Sequence, residues 1–139
     1  ACRRFLFPSF GGDLVKLSEV RRILGAEVLC GEDLLEKVEA LSVCGADLMS
    51  DVLAFTKEQT LLCTGLVNPQ VIRTAELIGL CGVVFVRGKR PSEEVVAMAA
   101  QRGLPLLSTR YPLYETCGLL YAAGLPGCGD KPSDDGCQA

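Results

Sequence analysis

Thr60-Leu61-Leu62-Cys63-Thr64-Gly65 begins the stretch whose reading decides the fold, and Gly82-Val83-Val84-Phe85-Val86 repeats its character further along. Both are short runs, nearly continuous in apolar residues, as strands are when a sheet is covered on both faces. Between them Asn68 stands as an N-cap with Pro69 at the first helical position, so 69–78 is expected to be a helix. After the second run, Ser92 caps a helix that extends to Arg102 and is ended by Gly103. Leu104 to Ser108 reads as another strand, and Tyr111 to Ala123 as a last helix stopped by Gly124. Strand and helix alternate across connections of about two to six residues, the signature of parallel strands joined by right-handed crossovers.

Working outward, the upstream half is less regular. Ser18 is a plausible N-cap for a short helix stopped by Gly25. Ala26 to Cys30 follows as a strand closed by Gly31, and Glu39 to Cys44 as a second. Leu48, Val52 and Phe55 are spaced to share one helical face. The expected fold class is α/β, a mainly parallel sheet with helices on its faces, spanning 16–125. Residues 1–15 are expected to be an N-terminal extension. Residues 126–139, rich in Gly and Asp and without large apolar side chains, are expected to form a flexible tail.

Composition narrows the function classes. The chain has 139 residues, 49% apolar and 22% charged, enough for one core. A net charge of −3 argues against nucleic acid as a partner. No run of about 18 apolar residues suggests a membrane span. Arg3 and Arg4 precede only Phe5-Leu6-Phe7 before Pro8, too short for a secretory h-region of roughly 7 to 15 residues. The eight cysteines contain no Cys-x-x-Cys, so a reduced, cytoplasmic setting is expected, most easily that of an anaerobe. Cys44, Cys63 and Cys81 lie in or beside apolar runs and read as small hydrophobes.

In an open parallel sheet, ligands bind beyond the carboxyl ends of the strands, where helix N-termini point. That rule selects three loops: Thr64-Gly65-Leu66-Val67-Asn68, Arg87-Gly88-Lys89-Arg90-Pro91-Ser92, and Ser108-Thr109-Arg110-Tyr111. Arg73 sits one turn inside the first following helix. Thr64, Gly65, Asn68, Arg73, Arg87, Gly88, Lys89, Arg90, Ser108, Thr109 and Arg110 are the candidate ligand-binding residues. Hydroxyls, an amide, glycines and cations beside helix starts suit a phosphate or carboxylate. Taken singly, such cations are ordinary solvated surface charges, and Arg73 could pair with Glu76 or Glu94.

Enzyme readings find less support. There is no histidine, hence no imidazole base or ligand. Neither a Walker-type phosphate loop nor Gly-x-Gly-x-x-Gly occurs. Asp47 and Asp51, four apart on a helix, could present two carboxylates on one face, but read rather as solvated surface or an N-terminal dipole contact. Cys117, Cys128 and Cys137 match no compact metal site, and their use by a metal or iron–sulfur carrier is the least favoured alternative. No catalytic or metal-binding residue, and no cofactor, is expected.

Several blocks in order resemble a stand-alone DRTGG-domain protein: Leu48-Met49-Ser50-Asp51-Val52-Leu53-Ala54-Phe55, Thr64 to Glu76, Val84-Phe85-Val86-Arg87-Gly88-Lys89-Arg90-Pro91, and Leu107 to Tyr121. The resemblance runs from about Lys16 to Leu125. It implies a fold like the N-terminal domain of HPr kinase/phosphorylase. It also implies a regulatory or dimerising role, as where such domains accompany phosphotransacetylases and CBS-domain pyrophosphatases. A homodimer is therefore expected, with a nucleotide phosphate, adenine nucleotides included, as candidate ligand. The alternative it suggests is a protein partner in an iron-only hydrogenase or related redox complex, with no small-molecule ligand. A contiguous Asp-Arg-Thr-Gly-Gly is absent, and only Thr64-Gly65 and Arg87-Gly88 remain as fragments.

Overall fold

A computed structural model describes residues 14–128. In chain order the elements are β1 (Val15–Lys16), α1 (Leu17–Leu24), β2 (Glu27–Cys30), β3 (Glu39–Ala40), β4 (Ser42–Gly45), α2 (Met49–Phe55), β5 (Thr60–Thr64), α3 (Pro69–Ile78), β6 (Gly82–Phe85), α4 (Glu93–Gln101), β7 (Leu106–Ser108) and α5 (Leu113–Ala122). Five strands form one sheet in the order β2-β7-β6-β5-β4. The last four are parallel and β2 joins β7 antiparallel. β1 and β3 make a separate antiparallel pair.

Every residue of β5, β6 and β7 is buried, which is why these runs read as continuous rather than alternating. Successive side chains still point to opposite faces. Leu61, Cys63, Val84 and Leu107 join Leu17, Val20, Leu24 and Leu120 in a core under α1 and α5. Leu62, Val83, Phe85 and Leu106 pack on the other face against Met49 and Val52 of α2, Val71, Ile72 and Ala75 of α3, and Val95 and Ala99 of α4. A side chain such as Phe85, wholly removed from water, contributes about 1.5–3 kcal/mol. The strands β4 to β7 step in one direction across the sheet. Crossovers of one hand must then lie on one face, and α2, α3 and α4 do.

Local chemistry explains the well-read elements. The Asn68 side chain accepts the Gln70 N–H at 3.1 Å with Pro69 at N1, and Ser92 accepts the Val95 N–H at 3.4 Å. The upstream half departs from expectation in four places. Lys16, not Ser18, precedes α1, whose start is held by bonds from Leu17 and Ser18 N–H to the carbonyls of Val38 and Leu35. The run Glu39–Cys44 is divided: Glu39–Ala40 pairs with β1 and Ser42 onward with β5. Met49 and Val52 face the core, while Leu48 and Phe55 are 61% and 70% exposed. β2 is an antiparallel edge strand. Val15, Pro126 and Gly127, from segments expected to flank the domain, pair with Ala40 and Val43. The rest of those segments, 1–13 and 129–139, lies outside the described residues. No helix among the described residues is long and apolar enough to cross a membrane.

Candidate functional site

The parallel strands end level with one another: Gly45 pairs with Cys63, Thr64 with Phe85, and Phe85 with Ser108. The connections that follow them therefore share one edge of the sheet. The loop after β6 leads to α4 on one face, whereas the loop after β7 leads to α5 on the other. Adjacent strands whose connections part to opposite faces define a topological switch point, where open α/β sheets place ligands. Arg87, Gly88 and Lys89 stand on one side of it and Thr109, Arg110 and Tyr111 on the other.

This switch point is laced shut by backbone. Arg87 N–H donates to the Tyr111 carbonyl at 2.9 Å, Gly88 N–H to the Thr109 carbonyl at 2.8 Å, and Thr109 N–H to the Phe85 carbonyl at 2.9 Å. The Ser108 hydroxyl donates to the Lys89 carbonyl at 2.9 Å. Lys89 N–H closes onto the Val86 carbonyl at 3.1 Å, with Arg87 at φ 60° and Gly88 at φ 69°. Two consecutive positive φ values make this a type I′ turn. Glycine accepts that backbone freely, whereas an arginine there costs about 1–2 kcal/mol. The result leaves a cationic residue exposed at this edge.

The other candidates divide into those spent on structure and those left exposed. The Thr64 hydroxyl donates to Asp47 Oδ1 at 3.0 Å and accepts the Leu66 N–H at 3.1 Å; the Gly65 N–H goes to the same Asp47 oxygen at 2.8 Å. The Thr109 hydroxyl, buried, donates to the Leu24 carbonyl at 2.9 Å. Asn68 is occupied as a helix cap. Arg90 reaches across to Glu27 of β2 at 2.6 Å. Arg73 does not pair with Glu76, which binds Arg102 at 2.6 Å. Arg73, Arg87, Lys89 and Arg110 are exposed and have no ion-pair partner among the described residues. Asp47, read from sequence as a surface carboxylate or an N-terminal dipole contact, is exposed just ahead of α2 and in addition ties the ends of β4 and β5 together. Its signal was its place two residues past a strand end.

A family model for the DRTGG domain matches residues 19–123, most of the chain. The chain belongs to the DRTGG domain family. No curated protein matches it. Among solved structures it is similar to the CBS and DRTGG domains of the regulatory region of Clostridium perfringens pyrophosphatase, complexed with its activator diadenosine tetraphosphate. The TM-score is 0.65 at 16% identity, covering 84% of this chain and 51% of that one, so the chain spans about half of that structure's length.

The DRTGG domain carries a second feature on the α5 side of the same edge. A cleft of about 670 Å³ opens between α5 and β4, with Val43, Gly45, Tyr111, Tyr114, Cys117 and Tyr121 on its wall. Tyr114 and Tyr121 are 84% and 74% exposed. Cys117 approaches β4 where Gly45 lacks a side chain: a Cβ there would lie 2.5 Å from Cys117 Sγ. A hydrogen bond from the Cys63 thiol lowers the Cys117 thiol to about 7, against the opposing effect of burial. The same contact and its own burial hold Cys63 in the thiol form. Burial raises Cys81 to about 12, and burial also raises Cys30 and Cys44. Sequence reading passed over this cleft because its walls come from separate elements, α5, β4 and the segment after α5. Among the described residues no group of three or more His, Cys, Asp or Glu is placed to hold a metal ion; Cys137 lies outside them.

Proposed function

We propose that this DRTGG domain, taken as 16–125, is a non-catalytic regulatory module that binds a nucleotide phosphate at the switch point between β6 and β7. The observation that carries the reading is the type I′ turn at Arg87–Gly88, hydrogen-bonded to Thr109 and Tyr111, which puts exposed Arg87 and Lys89 on a loop adjoining that of exposed Arg110. With the loops laced together by backbone, the anion would rest on these side chains, not inside a crevice. An adenine nucleotide is the ligand class favoured by the activator bound to the pyrophosphatase regulatory region. The module would act as a homodimer, whose second copy would cover the exposed apolar Leu48, Phe55 and Leu77.

Thermal shift and calorimetry against adenine nucleotides, diadenosine tetraphosphate and inorganic phosphate test this. A ligand at about 100 times its dissociation constant stabilises by about 2.7 kcal/mol. The gain should vanish in Arg87→Ala/Lys89→Ala. No response to any of these anions overturns the reading. The exposed tyrosines of the α5 cleft favour a second reading, a docking module for a redox-enzyme partner with no small-molecule ligand. Recovery of iron–sulfur enzyme subunits from a native extract, unaffected by nucleotide and lost in Tyr114→Ala/Tyr121→Ala, would support it over the first.

A further inference from the structure

Cys63 and Cys117 are brought together by three features of the fold. Cys63 lies on β5 and its register partner on β4 is Gly45, the position with no side chain. Cys117 projects from α5 into that gap, as its sulfur's approach to Gly45 shows. The cleft beside it reaches solvent, while Cys63 behind it is buried. The charged and titratable groups on the cleft wall are Glu115 and the three tyrosines; behind the wall stands Cys63 on β5, while Cys44 on β4 packs on the opposite face of the sheet. Cys44 is engaged elsewhere, accepting a hydrogen bond from the Thr56 hydroxyl at 3.4 Å.

We propose that Cys117 and Cys63 are a redox couple, in which Cys117 is oxidised by a hydroperoxide entering the cleft and Cys63 resolves it to a disulfide. The Cys117 thiolate attacks one oxygen of the hydroperoxide; an S–O bond forms and the O–O bond breaks. The departing hydroxide or alkoxide takes a proton from water, leaving Cys117 as a sulfenic acid. The Cys63 sulfur then attacks the Cys117 sulfur. An S–S bond forms, the S–O bond breaks, and the hydroxide leaves with the Cys63 proton as water. Two thiols lose two electrons and the hydroperoxide is reduced to an alcohol or water. The inverse division of roles is disfavoured, since Cys63 has no route to solvent and stays protonated. A low-pKa, accessible thiol beside a resolving thiol is the arrangement redox-sensing cysteines share.

The test uses the full chain with one equivalent of hydrogen peroxide and non-reducing peptide mapping. A Cys63–Cys117 cross-linked peptide, reversed by dithiothreitol, is expected. In Cys63→Ser, a dione probe should instead label Cys117 as sulfenic acid. Alkylation of Cys117 in the untreated chain should rise with a midpoint near pH 7. At pH 7 its thiolate fraction is about 50 times that of a thiol titrating at 9. Nucleophilicity falls about tenfold over that interval, leaving a rate about fivefold higher. Cross-links confined to other cysteines, or Cys117 alkylating no faster than Cys81, would overturn the proposal. Arg87→Ala/Lys89→Ala should form the disulfide normally, so this couple and the anion site can fail separately.

Discussion

Replacing Arg87 by Gly and by Ala separates what its backbone costs from what its side chain does. Arg87 occupies φ 60° in the turn over β6, with no ion-pair partner among the described residues. A non-glycine residue there costs about 1–2 kcal/mol in the folded state. Glycine removes that cost but loses about 0.5–1 kcal/mol through the greater freedom of the unfolded chain. Arg87→Gly should therefore gain about 0.5–1 kcal/mol, whereas Arg87→Ala keeps the backbone penalty and should change little. For a domain of this size about 1 kcal/mol corresponds to roughly 4 °C, so the glycine variant should melt about 2–4 °C higher. Both variants should lose nucleotide binding to the same degree. Urea unfolding gives the stabilities and calorimetry the affinities. A glycine variant less stable than wild type would show that the Arg87 side chain carries native contacts, and the strain argument would fail. Undiminished binding in both variants would remove Arg87 from the anion site.

Asp47→Ala strips the Thr64 hydroxyl and the Gly65 N–H of their acceptor, and should cost about 1–2 kcal/mol in urea denaturation, part of it because Thr64 is wholly buried. Cys81, raised to about 12, favours the native state in its thiol form. That stability is present below about pH 9 and is lost as pH rises toward 12, so the fall in urea midpoint over this interval should be smaller in Cys81→Ala than in wild type. Tyr114→Ala/Tyr121→Ala should alter stability by no more than about 0.5 kcal/mol, because both rings are largely exposed; a larger loss in thermal melts would show that they pack within the fold.

The downstream half of the fold was legible because each local signal there agrees with its neighbours. Asn68-Pro69 and Ser92 are caps that work in place, and Val83 to Phe85 can satisfy both faces of a covered sheet in only one way. Upstream, tertiary contacts outrank local preference. The start of α1 is fixed by carbonyls of residues 35 and 38, which no reading of Ser18 could anticipate. The face of α2 is set one residue away from the Leu48 pattern because Met49, not Leu48, meets Leu62 and Phe85. A helix of two turns carries too few periodic positions to decide between them.

The strand-end rule brings the candidate loops to one edge but does not say which of their polar groups remain free, and the reason is general to loops. A rule about strand ends places Thr64, Arg87 and Ser108 on one edge, but it cannot say which polar groups the backbone itself will consume. Hydroxyls and glycine amides are short-ranged, so they are the first to be taken up: Thr64 and Gly65 by Asp47, Ser108 by Lys89, Thr109 by Leu24. Long cations outlast this competition because their charge stands several bonds from the chain, and only an opposing carboxylate such as Glu27, facing Arg90, withdraws one. A phosphate arriving at this edge would therefore meet side-chain charge, with the amides already committed. Such recognition should weaken steeply with salt, since exposed charges are screened beyond about 8–10 Å at physiological ionic strength. Binding that survived 0.5 M salt unchanged would mean that the lacing of Arg87 to Tyr111 opens and the backbone amides take part.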